Sequence, residues 1–539
     1  MKKYISMLAV ILLSFAHEST AHAISSKQYK VKEGFLLVRR KASANTVSIA
    51  SIHAKANAVV VQQFGFPEGL ELVQLKPGIA SAASIETYKQ DPNVLYVEPD
   101  YIWTKTGIPN DNYFAKQWGL NNVGQTGGTP DSDINAIEAF DHQMGNPNVV
   151  LASIDTGVDY NHPDLIHNIW TNINEIPGNH IDDDNNGYID DIHGMNAITN
   201  SGDPMDDNEH GTHVAGIMAA ENNNSIGISG VMPHASVVAC KFLNDSGSGD
   251  TADAIKCMNY LINLKMRAQN PVQIVAINNS WAGGPYSQAL YDAIKQTQQA
   301  GILFMAAASN EGQNNDVVAT YPANFRLSNV LSVAAIDHKD NLASFSNRGR
   351  FSVHVAAPGV DIFSTIPNNK YLSLNGTSMA TPFVTALAGM IKSNNASLDW
   401  IGIKNLIISG GQITNGAYKN TISGRRVRMW DITGEGSLTC RNQIVTARLL
   451  PKTSFVSIRL GQSLTLSILN INCDKPNVNV RATATATAAP APIRLLDNGA
   501  GLDEVANDGV FNGAYKPTAI GTYRLAFPGN DILTVQVTR

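Results

Sequence analysis

What the chain lacks narrows its function first. Beyond the N-terminal segment there is no run of about 18 uninterrupted apolar residues, the length a helix needs to cross a bilayer, so a mature chain with no membrane span is expected. Neither sign of charge dominates. With 39 Lys and Arg against 45 Asp and Glu, the formal charge is −6 over 539 residues, which gives no electrostatic case for a nucleic-acid partner or an anionic membrane surface. Cysteine is scarce, four in all, and no two have the Cys-x-x-Cys spacing of a zinc or redox site. What remains is an ordinary globular balance, 43% hydrophobic and 16% charged, with material for a large core. At about 150 residues per domain this length suggests three or four domains.

The N-terminus carries an address. Lys2 and Lys3 precede an apolar run from Ile5 to Ala16, and Ala21-His22-Ala23 has the small-x-small form of a signal-peptidase site. Residues 1–23 are therefore expected to be a signal peptide and the mature protein to be secreted. In that oxidising setting four cysteines imply disulfides, with three possible connectivities. Cys240–Cys257 and Cys440–Cys473 are expected, because each pair lies within one proposed domain.

Three regions follow. Residues 24–107 form a small α/β unit, with strands at Val31–Val38, Val59–Val61, Leu70–Leu75 and Val94–Val97 and a helix at Ser81–Gln90. Residues 108–434 alternate short apolar strands with helical stretches. The strands are near 149–154, 236–241, 272–278, 302–307 and 330–335. That pattern argues an α/β fold with a parallel sheet covered on both faces, binding ligands at the carboxyl ends of its strands. Residues 435–539 are rich in β-type alternation and predict a small β-sandwich, with the Ala/Thr run at 482–489 as a strand.

Three segments carry nucleophilic chemistry. Ser153-Ile154-Asp155-Thr156-Gly157 places an acid just past a buried strand. His210-Gly211-Thr212-His213-Val214-Ala215-Gly216 places a histidine before a helical run of small residues. Asn375-Gly376-Thr377-Ser378-Met379-Ala380-Thr381-Pro382 places a serine where a helix opens, beside free N–H groups and positive potential. Amide hydrolysis needs a nucleophile, a base, a group that orients the base, and donors for an oxyanion. The paired histidines could instead bind a metal, but no Glu or Cys stands beside them in zincin spacing. Asp182, Asp184, Asn186, Tyr188 and Asp190 occupy positions 1, 3, 5, 7 and 9 of an EF-hand-like loop with Gly187 at 6, which predicts calcium. Position 12 holds His193 rather than a bidentate Glu.

Taken together, and in the order Asp, His, Ser, the three motifs resemble the subtilisin-like serine proteases over roughly residues 28–430. The resemblance implies Ser378 as nucleophile, His210 as base and Asp155 as its orienting partner, with His213 a packing residue. Asn310 and the Ser378 N–H would form the oxyanion hole. The family usually has Gly where this chain has Ser309, a strained residue if its φ is positive. An extended peptide substrate would lie between Gly247, Ser248 and Gly249 on one side and Ser280, Trp281, Ala282 and Gly283 on the other, near Ala307, Ala308 and Ser309. No buried acid or base is expected at the pocket floor that the resemblance implies near Thr320-Tyr321-Pro322, which points to apolar or aromatic P1 residues.

Thermitase-type members imply a second calcium site, here Asp111, Asp164 and Asn224 with carbonyls of Glu221, Ile226 and Ile228. Residues 24–107 resemble the family's inhibitory pro-domain, of ferredoxin-like fold, cut between about 103 and 108. The acidic turns at Asp497, Asp503 and Asp508 resemble those of bacterial Ig-like secreted modules. The expected protein is thus a secreted, self-processed, monomeric endopeptidase acting on proteins or peptides, with its pro-domain as inhibitor. The alternatives are an inactive binding protein on the same scaffold, or an adhesin working through its C-terminal module.

Overall fold

The computed structural model describes residues 31–41, 46–101, 108–429, 437–440, 443–472, 475–476, 480–485 and 491–539. The expected signal peptide, the expected processing junction and Cys473 lie outside the described residues. The chain divides into two compact units, Met1–Lys105 and Thr106–Arg539.

The first unit runs β1 (Val31–Arg40), α1 (Thr46–Lys55), β2 (Ala58–Gln63), β3 (Leu70–Leu75), α2 (Ser81–Lys89) and β4 (Val94–Tyr101). Its antiparallel sheet has the order β2-β3-β1-β4, the arrangement of a ferredoxin-like fold. Apolar alternation sends Leu36, Val38, Val73 and Leu75 to one face, where they pack with Ile52 and Tyr88. The helix α1 has no clear signal in the sequence: Thr46–Lys55 is rich in β-branched residues, and packing over the sheet decides its conformation.

The second unit is built on a nine-stranded sheet. Its strands are β5 (Val150–Asp155), β6 (Gly194–Asn196), β7 (Ser236–Lys241), β8 (Ile274–Asn279), β9 (Leu303–Ala307), β10 (Val330–Ile336), β11 (Val355–Pro358), β14 (Gln412–Ile413) and β15 (Arg425–Arg426), while β12 (Ile362–Ile366) and β13 (Lys370–Leu374) form a separate hairpin. The order is β14-β15-β11-β10-β9-β8-β5-β7-β6, parallel from β6 to β15. The first strand, β5, lies inside, and the chain passes to β7 on one side and β8 on the other. That reversal is where a doubly wound sheet opens a crevice at its carboxyl edge.

Parity along β5 separates two cores. Val150, Ala152 and Ile154 join a cluster with α5 (Thr251–Met266) and α6 (Gln288–Gln299), while Leu151 joins one with α4 (His210–Ala219), α7 (Thr377–Asn394) and α8 (Trp400–Ser409). Asp155 has the parity of Leu151, so it faces the side that carries α4 and α7. Cys240 on β7 and Cys257 on α5 form the expected disulfide, with Cα atoms 5.8 Å apart; Cys440 is also disulfide-bonded.

The C-terminal residues of this unit form two β-sheets of four and five strands, and Leu466, Ile468, Phe511, Leu525, Leu533 and Val535 fill the space between them. Of the Ala/Thr run, 482–485 lie in a strand over Val480–Thr485, and 486–489 lie outside the described residues. Among the described residues no helix is long and apolar enough to cross a membrane.

Candidate active site

At the carboxyl end of β5, Asp155 is fully buried. Its Oδ1 accepts a hydrogen bond from His210 Nδ1 at 2.7 Å and another from the Thr156 N–H at 2.7 Å. Burial is the largest influence on His210 and pushes its pKa down. The Asp155 charge and hydrogen bond, with the charges of Asp206 and Glu209, outweigh it and leave the pKa above its ordinary value. With Nδ1 committed to Asp155, Nε2 is the nitrogen left to take a proton.

Residues that the motifs did not single out hold that imidazole. Asp206 accepts from the Thr156 hydroxyl (2.8 Å) and from the N–H and hydroxyl of Thr212 (2.9 and 2.6 Å). It therefore ties the turn after β5 to the first turn of α4, satisfying one of the helix's open N–H groups. Lys241, buried at the end of β7, donates to the carbonyls of Thr156 and Leu243 and to Asp207. An Asp just ahead of a helical run is a capping signal, and it could have identified Asp206. Lys241 leaves no such local mark. His213 is fully buried, its Nε2 donating to the Leu372 carbonyl at 3.0 Å, and burial holds its pKa down at about 3.

Ser378 is the second residue of α7. Its hydroxyl donates to the Ser280 carbonyl at 3.0 Å rather than to His210, and the Ser280 hydroxyl donates to the Ser378 carbonyl at 2.7 Å. A serine hydroxyl swings between rotamers at little cost, and contacts of this kind often tighten only on substrate binding.

The two groups expected to form an oxyanion hole converge. Asn310 Oδ1 accepts from both the N–H and the hydroxyl of Thr377, at 2.9 and 3.0 Å, which fixes the amide and leaves Nδ2 free to donate. A Cβ placed on Gly376 would lie 3.5 Å from the Ser378 nitrogen and 3.6 Å from Asn310 Nδ2. The two donors thus border one small space that glycine keeps open. Ser309 does take a positive φ, +92°. Its hydroxyl donates to Glu311 and its N–H to the Thr377 hydroxyl, bonds that hold the strained backbone in place. Thr377 as the anchor of Asn310 was invisible in the motif.

The expected cleft residues divide. Gly247, Ser248 and Gly249 are exposed on one loop, and Ala282 and Gly283 are exposed on another. The Gly283 N–H donates to the Tyr321 carbonyl at 3.3 Å. Trp281 is half-buried against Phe242 and Phe304. Ala307 and Ala308 are buried in the sheet, where their backbones rather than their side chains border the site. Tyr321 is surrounded by Phe325 and Tyr286.

Two acidic regions bear on metal binding. Asp111, Asp164 and Asn224 come together: Asn224 Nδ2 donates to Asp164 (2.8 Å), and the N–H groups of Asn223 and Ile228 donate to Asp111 (2.9 Å) and Asp164 (2.8 Å). Burial pushes both carboxyls up to about 6, with the Asp111 charge adding to the rise at Asp164. Buried like charges with an all-oxygen donor set fit a hard divalent cation. Glu221, whose carbonyl was expected to join this set, turns its carboxylate to His167, and the Ile226 N–H donates to Asn224 Oδ1.

The loop at 182–190 differs from its expected ligand set. Asp184 gathers with Glu175 and Asp191, their oxygens within 4.8 Å of one another. Asp182 instead accepts the N–H groups of Asn186 and Gly187, and Asp190 those of Gly178 and His180. Asn186 Nδ2 donates to Asp191, and Tyr188 packs on Tyr260. Asp182 Oδ1 and Asp184 Oδ1 both face the Asn186 N–H, at 3.0 and 3.2 Å, and the chain turns left-handed at Asn185 and Asp190. Arg267 already supplies a cation to Asp184 at 3.2 Å.

Residues 146–424 match the model of the subtilase family, just over half of the chain. Subtilisin-like protease 1 of Plasmodium berghei (strain Anka) is 32% identical over 414 residues, which is 73% of this chain and 66% of that protein. Thermitase of Thermoactinomyces vulgaris is 35% identical over 290 residues, 54% of this chain and 87% of that protein. The chain spans less than two thirds of the length of the Plasmodium relatives, 48% and 43% for those of Plasmodium vivax and Plasmodium falciparum (isolate 3D7). A solved cold-adapted subtilisin-like serine proteinase aligns at 27% identity over 58% of this chain and 98% of its own, with a TM-score of 0.46.

Proposed function

This chain belongs to the subtilase family, and from that premise we propose that it is a secreted serine endopeptidase, made as a self-processed zymogen and stabilised by calcium. The observation that carries the reading is the convergence at the carboxyl edge of the sheet. The 2.7 Å Asp155–His210 hydrogen bond lies there, and the Ser378 and Asn310 donors border one small space beside it. Ser378 Oγ swings from Ser280 to His210 Nε2, loses its proton to that nitrogen and attacks the scissile carbonyl. The oxyanion takes hydrogen bonds from the Ser378 N–H and Asn310 Nδ2. His210 then gives the proton to the leaving amine, while Asp155 holds the tautomer and offsets the imidazolium charge. Water hydrolyses the acyl-enzyme by the same proton route.

Residues 24–107 act as inhibitor until cut, a reading supported by the ferredoxin-like strand order of the first unit. Calcium held by Asp111, Asp164 and Asn224, and a second ion by Asp184 with Glu175 and Asp191, would supply fixed positive charge that ties loops together, without entering the chemistry. Specificity is broad, with an apolar or aromatic P1 preference supported by the aromatic surroundings of Tyr321. The test is labelling by a serine-directed fluorophosphonate, mapped to Ser378 and lost in Ser378→Ala, followed by cleavage profiling on a peptide library. An unlabelled wild-type protein refutes the reading in favour of an inactive binding scaffold.

A further inference from the structure

The second unit holds an open pocket of about 290 Å³ that shares no residue with the triad. One wall comes from residues within 323–328, 351–354 and 404–422, the other from residues of the C-terminal sandwich within 449–452, 465–469 and 502–512. That size sits at the small end of ligand pockets.

Three acids and three Lys or Arg side chains line it, so what matters is which of them already have partners. Each acid is already engaged. Asp508 pairs with buried Lys404 at 3.9 Å, and Glu504 pairs with Lys295 at 3.5 Å. Asp503 accepts the N–H groups of Asn498 and Gly499 and the amide of Asn512. His354 Nδ1 accepts the Ser332 N–H, and burial, with the Lys404 charge, holds its pKa down at about 3, so it is neutral.

Two cations are left over. Arg326 from the first wall and Lys452 from the second have no side-chain hydrogen-bond or ion-pair partner among the described residues. Lys452 is half-buried, and burial, then the Arg326 charge, lower its pKa, whereas Arg326 is exposed at the rim. The Asp316 charge lies near both and offsets this in part, while its oxygens accept from the Phe351 N–H and the Ser352 hydroxyl, so one carboxylate stands against two cations. Two unpaired donors of like charge, beside the apolar surfaces of Phe351, Leu449 and Leu450, form half of a recognition site.

We propose that this cavity binds a small apolar carboxylate, with its head group between Arg326 and Lys452 and its hydrocarbon against Phe351, Leu449 and Leu450. A guanidinium fork matches a planar carboxylate. A bare, strongly hydrated anion would lose water against the apolar wall without compensation. The site is complete only when the sandwich is docked, so its occupant would hold the sandwich to the protease. The same chemistry is offered by a free fatty-type acid and by the C-terminal end of a peptide with an apolar last residue. The inference does not depend on the protein being an active protease.

The experiment is calorimetric titration of the full chain carrying Ser378→Ala, which prevents self-digestion, with octanoate and with N-acetyl-leucine as separate arms. One-to-one saturable binding of at least one is expected, and the tighter arm identifies the source. Arg326→Ala and Lys452→Gln should each weaken it about tenfold or more, as should replacing the acid by its neutral amide, since each removes a charge-assisted hydrogen bond. Arg326 is exposed at the rim, so its variant should melt as the parent does. No saturable binding of either acid overturns the proposal. So does equal binding by the amides or by both variants, or sulfate binding as tightly as the acids.

Discussion

Asp155 and the pair Asp111 and Asp164 are the same side chain at nearly the same burial, 0%, 5% and 0% exposed, yet their surroundings suit them to the opposite tasks proposed for them. Asp155 faces a histidine that can carry the compensating charge, and the 2.7 Å bond between them raises the imidazole's affinity for a proton. Asp111 and Asp164 face amides and each other, and burial pushes them up to about 6. A buried carboxylate is thus a proton-handling device or an ion cradle according to its neighbour, and burial alone does not distinguish the two.

That contrast breaks most sharply at the nucleophile. Ser378→Ala should lower kcat by about a millionfold, the loss seen in subtilisin itself, while leaving the thermal midpoint and calcium binding unchanged. Mass spectrometry of the purified variant should show the junction near residue 103 intact. Efficient cleavage there with no other protease present would end the self-processing proposal.

Asp155→Asn should cost about 10⁴ in kcat and also move the pH profile. In the wild type kcat/KM should fall as pH drops through a His210 pKa above its ordinary value of about 6.5. Without the carboxylate, burial dominates and the midpoint moves to lower pH. The stability linked to His210 runs the other way: it is fully present below about 6.5 and lost as pH rises through the higher folded-state pKa. A flat wild-type profile from pH 5 to 8 would count against His210 as the base.

Asn310→Ala should lower kcat by about 10²–10³ with little change in KM, or 3–4 kcal/mol of transition-state stabilisation. Thr377→Val should reproduce part of that loss by freeing the amide, and a Thr377→Ser variant should restore it. An unchanged kcat in Asn310→Ala would move the oxyanion hole elsewhere.

The ion cradle should respond in stability rather than rate. Removing calcium with EGTA should lower the inactivation temperature and speed autolysis, with initial rates at low temperature nearly constant. A hundredfold excess of calcium over Kd should contribute about 2.7 kcal/mol. In EGTA the raised carboxyls bind protons more tightly folded than unfolded, so stability should fall as pH rises from about 4 to about 6. Calcium should remove that fall, and Asp164→Ala should lose the calcium response. If EGTA changes nothing and calorimetry detects no binding, the cradle is a hydrogen-bonded turn and no more.

Much of this was legible in the residues. Leu70–Leu75 and Ser236–Lys241 were expected as strands with the bounds they have, because a buried strand in a sheet is a short apolar run with breakers at both ends. The helix opening at Ser378 was legible from the small-residue run after it. The carboxylates around 175–191 were not. Spacing suggested Asp182 and Asp190, but the chain turns left-handed within the loop and brings in Glu175 from outside it.

By itself, then, the sequence determined most strands of the two main sheets and the three segments that hold the proposed acid, base and nucleophile, because each is written in a stretch of consecutive residues whose periodicity or motif is local. Only the tertiary structure decided which distant groups meet. Thr377 anchors Asn310 across 67 positions, Asp206 joins the turn after β5 to α4, and Arg326 faces the same cavity as Lys452. Those pairings follow from strand order and from the docking of the sandwich. They depend on distances through space, which no local pattern of side chains records.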